Sequence, residues 1–258
     1  MKLKKFDVMA FYKTLARLDL KPGDNILLHS GIISLGKIDD VAEVFSALQT
    51  YFGEQSTIVV PTFTLWLDDG VVYKCDTPSQ RMGAMAEYVR MHPDAVRSRC
   101  PMHNHAAIGP LSYLFKEISG HYSTGVGSDF ELFHVHRFKN LFLGCSPKSS
   151  GTYLIHLESI AQVPYRTWIT LQKPVQWDSS ITESVTCHYF ARDKTFNNKP
   201  CDTVGVRVNL GAFEELLLEH GVLQEEELPY GKAYCGNILD IRQTILNGLS
   251  ENPLLALE

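Results

Sequence analysis

The sequence predicts an α/β fold: a mixed, largely parallel central sheet flanked by helices, with an antiparallel β segment in the C-terminal half. Short β-branched runs alternate with stretches of helical periodicity along most of the chain, which is the pattern of a sheet covered by helices. Clean period-2 alternation starts only after Trp168. At 258 residues, 45% hydrophobic and 21% charged, the chain has ample material for a buried core.

Phe6, Met9, Tyr12, Leu15 and Leu18 share one helical face, and Lys21-Pro22-Gly23 ends that helix. Residues 25–29 read as a short apolar strand. Asp39 or Asp40 caps a helix carrying Val41, Val44, Phe45 and Leu48 and ending at Gly53. Residues 56–60, stopped by Pro61, predict a second buried strand. Helices are expected over 83–92 and 111–118, a strand over 140–144 and a helix over about 152–162. Val185, Cys187 and Tyr189 then alternate with Ser184, Thr186 and His188, as in a half-exposed antiparallel strand. Residues 193–202 are expected as a loop, and helices near 213–220 and 238–249 close the chain. Nothing marks a linker or a repeat, so one domain over 1–258 is expected.

Lys and Arg total 24 against 29 Asp and Glu, a formal charge of −5. A mildly acidic chain without basic blocks argues against a nucleic-acid partner. Asp7 and Lys13 interrupt any signal-peptide core, and no apolar run approaches a membrane span, so a cytoplasmic chain without a membrane partner is expected. An oligomer stays open. Cys75, Cys100, Cys145, Cys187, Cys201 and Cys235 form no C-x-x-C pair and read as reduced thiols, with no zinc spacing and no metal expected.

Common nucleotide and hydrolase signatures are absent. Residues 144–152 lack the ending of a P-loop, Gly125-Val-Gly127 does not continue into a dinucleotide fingerprint, and neither a nucleophile elbow nor a zinc helix occurs. Instead, several segments look built for a ligand. They are residues 28–36, 60–68, 97–109, and 151–158 continuing to Arg166. Within them lie His29-Ser30, Ser34-Leu35-Gly36, Pro61-Thr62-Phe63, Arg97-Ser98, Pro101, Gly109, Thr152, Leu154, Glu158 and Pro164, with Met82-Gly83, Glu87 and Arg90 between.

In that order and spacing, these residues resemble the aminoglycoside 3-N-acetyltransferase family, whose fold differs from that of the GNAT acetyltransferases. The resemblance implies transfer of an acyl group, acetyl or hydroxybutyryl, from acyl-coenzyme A to an amino group on a sugar. Coenzyme A is then the cosubstrate. The small-residue loop, His29, Ser30, Gly31, Ser34, Leu35 and Gly36, would let backbone approach the pantetheine arm, and amides there would stabilise a developing oxyanion. Arg97, with Ser98, would grip the coenzyme phosphates. Asp68, His103, Asn104 and Thr152 would meet the acceptor.

A sugar ammonium must lose a proton before it attacks, so a base is required. The resemblance implies a His three residues after the motif Thr and a Glu three after that His. Here Ile155 holds the His position and His156 comes one residue late, while Glu158 is in place. On a regular helix His156 and Glu158 would diverge by roughly 200°. The base is His156 if the turn is irregular, Glu158 alone, or another loop's His103 or His105. Cys100 and Asn104 replace the family's His before Pro and its Ser beyond, which suggests a changed acceptor or acyl group.

A polycationic aminoglycoside needs a strongly acidic site, which Asp68, Asp69 and Asp76 would only partly supply. The mild charge and spare Arg137, Lys139, Lys148 and Arg166 point rather to a nucleotide-linked amino sugar, such as a dTDP-linked 3-amino-3,6-dideoxyhexose. An aminoglycoside is the alternative. Two further readings are a thiol nucleophile at Cys145 and a coenzyme-A-binding protein without turnover.

Overall fold

A computed structural model describes residues 3–65, 67, 70–177, 181–196 and 205–257. Asp68, Asp69 and residues 197–202 of the expected loop lie outside the described residues. In chain order the first half contains α1 (Val8–Arg17), β1 (Ile26–Ser30), α2 (Val41–Phe52), β2 (Ile58–Pro61), β3 (Tyr73–Lys74), α3 (Ala84–Met91), β4 (Val96–Arg97), β5 (His105–Ile108), α4 (Tyr113–Glu117) and α5 (Phe130–Val135). There follow β6 (Lys139–Leu143), α6 (Pro147–Ser150), α7 (Thr152–Ala161), β7 (Arg166–Gln176), β8 (Glu183–Arg192), α8 (Gly211–Glu219), β9 (Gln224–Leu228), β10 (Gly231–Asn237) and α9 (Ile238–Glu251).

The main sheet runs β4-β5-β2-β1-β6-β10-β9. Parallel pairing is confined to its centre, where β1 lies between β2 and β6. The outer pairs β5–β2, β4–β5, β10–β6 and β9–β10 are antiparallel. A second sheet, β3-β7-β8, contains the antiparallel segment expected after Trp168, with β7 as its partner.

Alternation along the central strands splits the core. Ile26 and Leu28, Ile58 and Val60, and Leu141 and Leu143 pack on one face against Phe11, Leu15, Phe45, Leu48 and Val89 of α1, α2 and α3. Leu27 and Val59 point the other way, toward Phe130, Phe133, Tyr153, Leu157, Phe213, Ile241 and Ile245 of α5, α7, α8 and α9. Asp7 caps α1 by accepting from the Met9 and Ala10 amides, Asp40 caps α2, and Asn237 caps α9. Gly53, at φ 78°, ends α2 where the sequence predicts. Among the described residues no helix is long and apolar enough to cross a membrane.

Strands β5, β7, β9 and β10 and helix α5 have no counterpart in the sequence reading. Strand β5 is His-Ala-Ala-Ile and β9 is Gln-Glu-Glu-Glu-Leu, so neither shows a β-branched run. Strand β9 is an edge strand, where charge is the usual protection against pairing with other chains.

Phe45 is fully buried against Tyr88, with ring centroids 5.5 Å apart. Phe45→Ala should cost about 3–5 kcal/mol of stability. Urea denaturation would show this as a lower midpoint at unchanged slope.

Candidate active site

A cleft of about 720 Å³ opens at the C-terminal ends of β1 and β2, the end of an α/β sheet where ligands commonly bind. His29 and Ser30 come from β1, Pro61 from β2, and Phe63, Met102 and His103 from the segments just beyond the strands. Helix α7 adds Thr152 and Ile155, β7 adds Arg166 and Ile169, and β8 adds Tyr189 and Arg192. Arg81, Met82, Gly83, Lys194, Val208 and Leu210 complete much of the rim.

Helical phase decides what α7 presents. Its helix is regular from Thr152, so Thr152 and Ile155, three apart, share the face that lines the cleft. His156 is turned about 100° away. Its ring is fully buried, stacked on Phe130 and Tyr153, and Nδ1 accepts the Gly125 amide at 3.1 Å. Burial, aided electrostatically by neighbouring His134 and Arg242, lowers its pKa to about 3. The expectation that an irregular turn brings His156 to the reacting atoms therefore fails, and the residue instead pins the 123–128 loop.

Glu158 lies on the cleft side of the helix but beneath its surface, fully buried. Arg166 Nη2 stands 2.7 Å from Oε2, and Tyr165 donates its hydroxyl to Oε1 at 2.7 Å. Burial pushes this carboxyl up, while Arg166 and Tyr165 pull it back toward the ionised form. With both oxygens engaged, Glu158 is a holder of Arg166 rather than a free base.

Arg97 and Ser98 do not reach this cleft. Strand β4 carries Arg97 inward, where Nε donates to Asn104 Oδ1 at 2.9 Å and Nη2 donates to the Thr62 carbonyl at 2.6 Å. Nη1 donates to the carbonyls of Cys75 and Thr77. A guanidinium so committed cannot also grip phosphates, which corrects the sequence expectation. Ser98 donates to Asp129 Oδ2 at 2.7 Å and accepts the His105 amide. Asn104, expected at the acceptor, is fully buried between Arg97, Thr62 and Thr64. His105 faces inward among Phe63, Phe130 and Phe133, with Nδ1 2.8 Å from Asp129.

The small-residue loop also divides. His29 and Ser30 line the cleft, but Gly31, Ser34, Leu35 and Gly36 serve packing. The Gly31 amide is spent on the Leu143 carbonyl at 2.7 Å, and a Cβ at Gly31 would come within 2.8 Å of the Gly144 carbonyl oxygen. Gly36, at φ 116°, backs onto the Lys4 carbonyl. Small residues here let β1 and β6 close together at their ends. Leu35 sits in the core.

His103 is the expected acceptor residue that does meet the cleft, with Thr152. Its ring stands edge-on to Phe63, centroids 4.8 Å apart, and Nδ1 is 2.5 Å from Ser123 Oγ. His29 stacks on Phe142 at 4.7 Å, and its Nε2 is buried without a hydrogen-bond partner. Burial, reinforced electrostatically by neighbouring His105 for each and by Arg166 for His103, holds both imidazoles near pKa 3. Both are neutral at pH 7. Cys145 does not line the cleft, and burial raises its thiol, which removes the case for a thiolate nucleophile. Among the described residues no group of His, Cys, Asp and Glu is arranged to hold a metal ion.

Arg166, Arg192, Lys194 and Tyr189 are cleft residues that the sequence reading did not assign. Arg166 was visible only as a spare cation, and the others come from strand β8 and its exit, where no motif marks them.

Arg97→Ala should leave the Thr62 carbonyl buried without its donor and remove one of the two donors to Asn104 Oδ1, at a cost of about 3 kcal/mol or more read by urea denaturation. For His156, the unfolded chain takes a proton near pH 6.5 and the folded one only near 3. Its contribution is present above the unfolded value and lost as pH falls toward 3, at up to about 1.4 kcal/mol per pH unit. His156→Gln should flatten the acid limb of a stability-versus-pH curve by up to that slope.

A family model described as aminoglycoside 3-N-acetyltransferase matches residues 27–234. Aminoglycoside N(3)-acetyltransferase III from Salmonella sp. is 28% identical over 189 residues, covering 64% of this chain and 65% of that relative. The matched stretch is therefore slightly under two thirds of the relative's own length. Among solved structures, aminoglycoside acetyltransferase AAC(3)-Xa superposes with TM-score 0.81 at 19% identity, over 95% of this chain and 92% of that one. AAC-IIIb, solved as a binary complex with CoASH, gives 0.79 at 19% identity over 95% and 96%. These likenesses establish the shared fold, and with the family match running from β1 into β10 the chain belongs to the aminoglycoside 3-N-acetyltransferase family.

Proposed function

We propose that this chain is an N-acyltransferase that moves an acyl group from acyl-coenzyme A to an amino group of an amino sugar. The family match is the observation that carries the reaction class. The cleft suits both substrates. Phe63, Leu65, Met82, Met102 and Ile169 give apolar walls for the uncharged pantetheine arm and acyl chain, and Ser30 and Thr152 offer hydroxyls among them. Arg81, Arg166, Arg192 and Lys194 supply positive charge for phosphates. Acyl-coenzyme A brings the activated carbonyl, and the protein's task is to hold the amine beside it and remove a proton.

The names of the relatives favour an aminoglycoside as acceptor. A specific feature of the cleft favours the second reading, a nucleotide-linked amino sugar such as a dTDP-linked 3-amino-3,6-dideoxyhexose. Among its described lining residues there is neither Asp nor Glu, while Arg192 and Lys194 add positive charge and Arg166 is already paired with the buried Glu158. A polycation would meet like charge there, whereas a diphosphate would be attracted.

A mass-spectrometric turnover screen should decide between them, with acetyl- and 3-hydroxybutyryl-coenzyme A offered to aminoglycosides and to nucleotide-linked amino sugars. The expected result is acylation of the amino sugar bearing the diphosphate. Its KM should rise with salt and should rise several-fold in Lys194→Ala. Turnover of aminoglycosides alone would discard the anionic acceptor and keep the family reaction. Acyl-coenzyme A binding without turnover on any amine would favour the binding-protein reading instead.

A further inference from the structure

The proposed transfer needs a group that accepts a proton at the cleft, and the groups expected for that work are unavailable. Helix α7 presents Thr152 and Ile155 to the cleft, and neither side chain is a base. His156 points into the core, and both Glu158 oxygens are committed to Tyr165 and Arg166. Among the described lining residues, His29 and His103 are the imidazoles that remain. They differ in one respect that matters. His29 Nε2 is buried without a hydrogen-bond partner and its ring is held by stacking on Phe142, whereas His103 is fixed through Nδ1 by Ser123 Oγ at 2.5 Å.

We propose that His103, oriented by Ser123, is the catalytic base of this chain. The assignment rests on the acyl-transfer reading. With the Nδ1 proton on the Ser123 side, Nε2 carries its lone pair on the ring edge away from Ser123. The amine enters as the free base, its ammonium proton having gone to solvent; its nitrogen bonds to the acyl carbonyl carbon, the carbon–sulfur bond breaks, and the coenzyme leaves as a thiolate. The proton shed by the nitrogen passes to His103 Nε2 and from there to that thiolate, so the imidazole ends neutral as it began. The nitrogen is far more acidic once bonded to the carbonyl carbon than as the free ammonium, so the proton moves to the neutral imidazole after that bond forms.

The ring's surroundings support this use. Phe63 and Tyr189 flank it, at centroid distances of 4.8 and 5.8 Å, so its plane is fixed by packing as well as by Ser123. Ser123 is itself fixed, since its amide donates to the His188 carbonyl at 2.8 Å. Two residues on, the Gly125 amide is held by His156. A base held by a third group in this way meets the geometric requirement for directed proton transfer.

The test compares wild type with His103→Gln, His103→Ala and His29→Gln. Acetyl-coenzyme A is the donor, gentamicin or a dTDP-linked 3-amino-3,6-dideoxyhexose the acceptor, and thiol release and acyl-coenzyme A binding are measured side by side. His103→Gln should lose about 10²–10⁴ in kcat while binding acetyl-coenzyme A with the wild-type Kd. Added imidazole should restore part of the rate in His103→Ala, an effect that a purely structural His103 would not produce. Normal turnover in a folded His103→Gln, or loss confined to His29→Gln, overturns the assignment while leaving the acyl-transfer reading intact. A wild type that binds acetyl-coenzyme A but acylates neither acceptor overturns both.

Discussion

The Arg97 guanidinium ties together chain segments that would otherwise meet only through loops. It donates to the Thr62 carbonyl at the end of β2, to Asn104 before β5, and to the carbonyls of Cys75 and Thr77 beside β3. Each acceptor is a polar group that burial would penalise if left alone, so the charge and its acceptors require one another. Thr62 and Asn104 also hydrogen-bond directly, and Asn104 donates on to Thr64. This lattice fixes the spacing of Phe63 and His103, which alternate with its members along the two segments and face the cleft. A residue that looked like a ligand grip is thus what sets the shape of the cleft's floor.

Helix α7 shows a similar division of labour. One face, Thr152 and Ile155, meets the cleft, and the adjacent His156 turns into the core and holds Gly125. The loop that includes Gly125 also carries Ser123, the partner of His103. His156 is therefore connected to the cleft through backbone, at a distance from any reacting atom. Glu158 stands behind Arg166, so its role is to keep a cation at the cleft wall in a fixed place. The polar residues His156 and Glu158 of this segment act one layer deeper than a direct reading suggests.

The charge of the cleft differs from that of the chain as a whole. A net charge of −5 for the whole chain says little about a site whose described lining is cationic. Local potential, focused by low-dielectric walls such as Phe63 and Met102, governs which substrate is attracted. The cations come from strands β7 and β8 and the segments near Gly83 and Lys194, which are far apart in sequence.

Period and punctuation alone determined much about the frame. The apolar runs of β1, β2 and β6, the cap at Asp40, the stop at Gly53 and the alternation of β8 are local properties, set by side-chain direction and by backbone groups needing nearby partners. Ordered motif residues carried the family. Strand β9 stayed hidden because an exposed edge strand needs no apolar face, and β5 because Ala and His mark no period. Which residues form the site was decided by tertiary structure. Whether Arg97 meets phosphate or carbonyl, and whether His103 or His156 meets substrate, depends on groups that other strands and helices bring alongside. A one-residue step on a helix turns a side chain by about 100°, and only the packed neighbours determine which side is cleft and which is core.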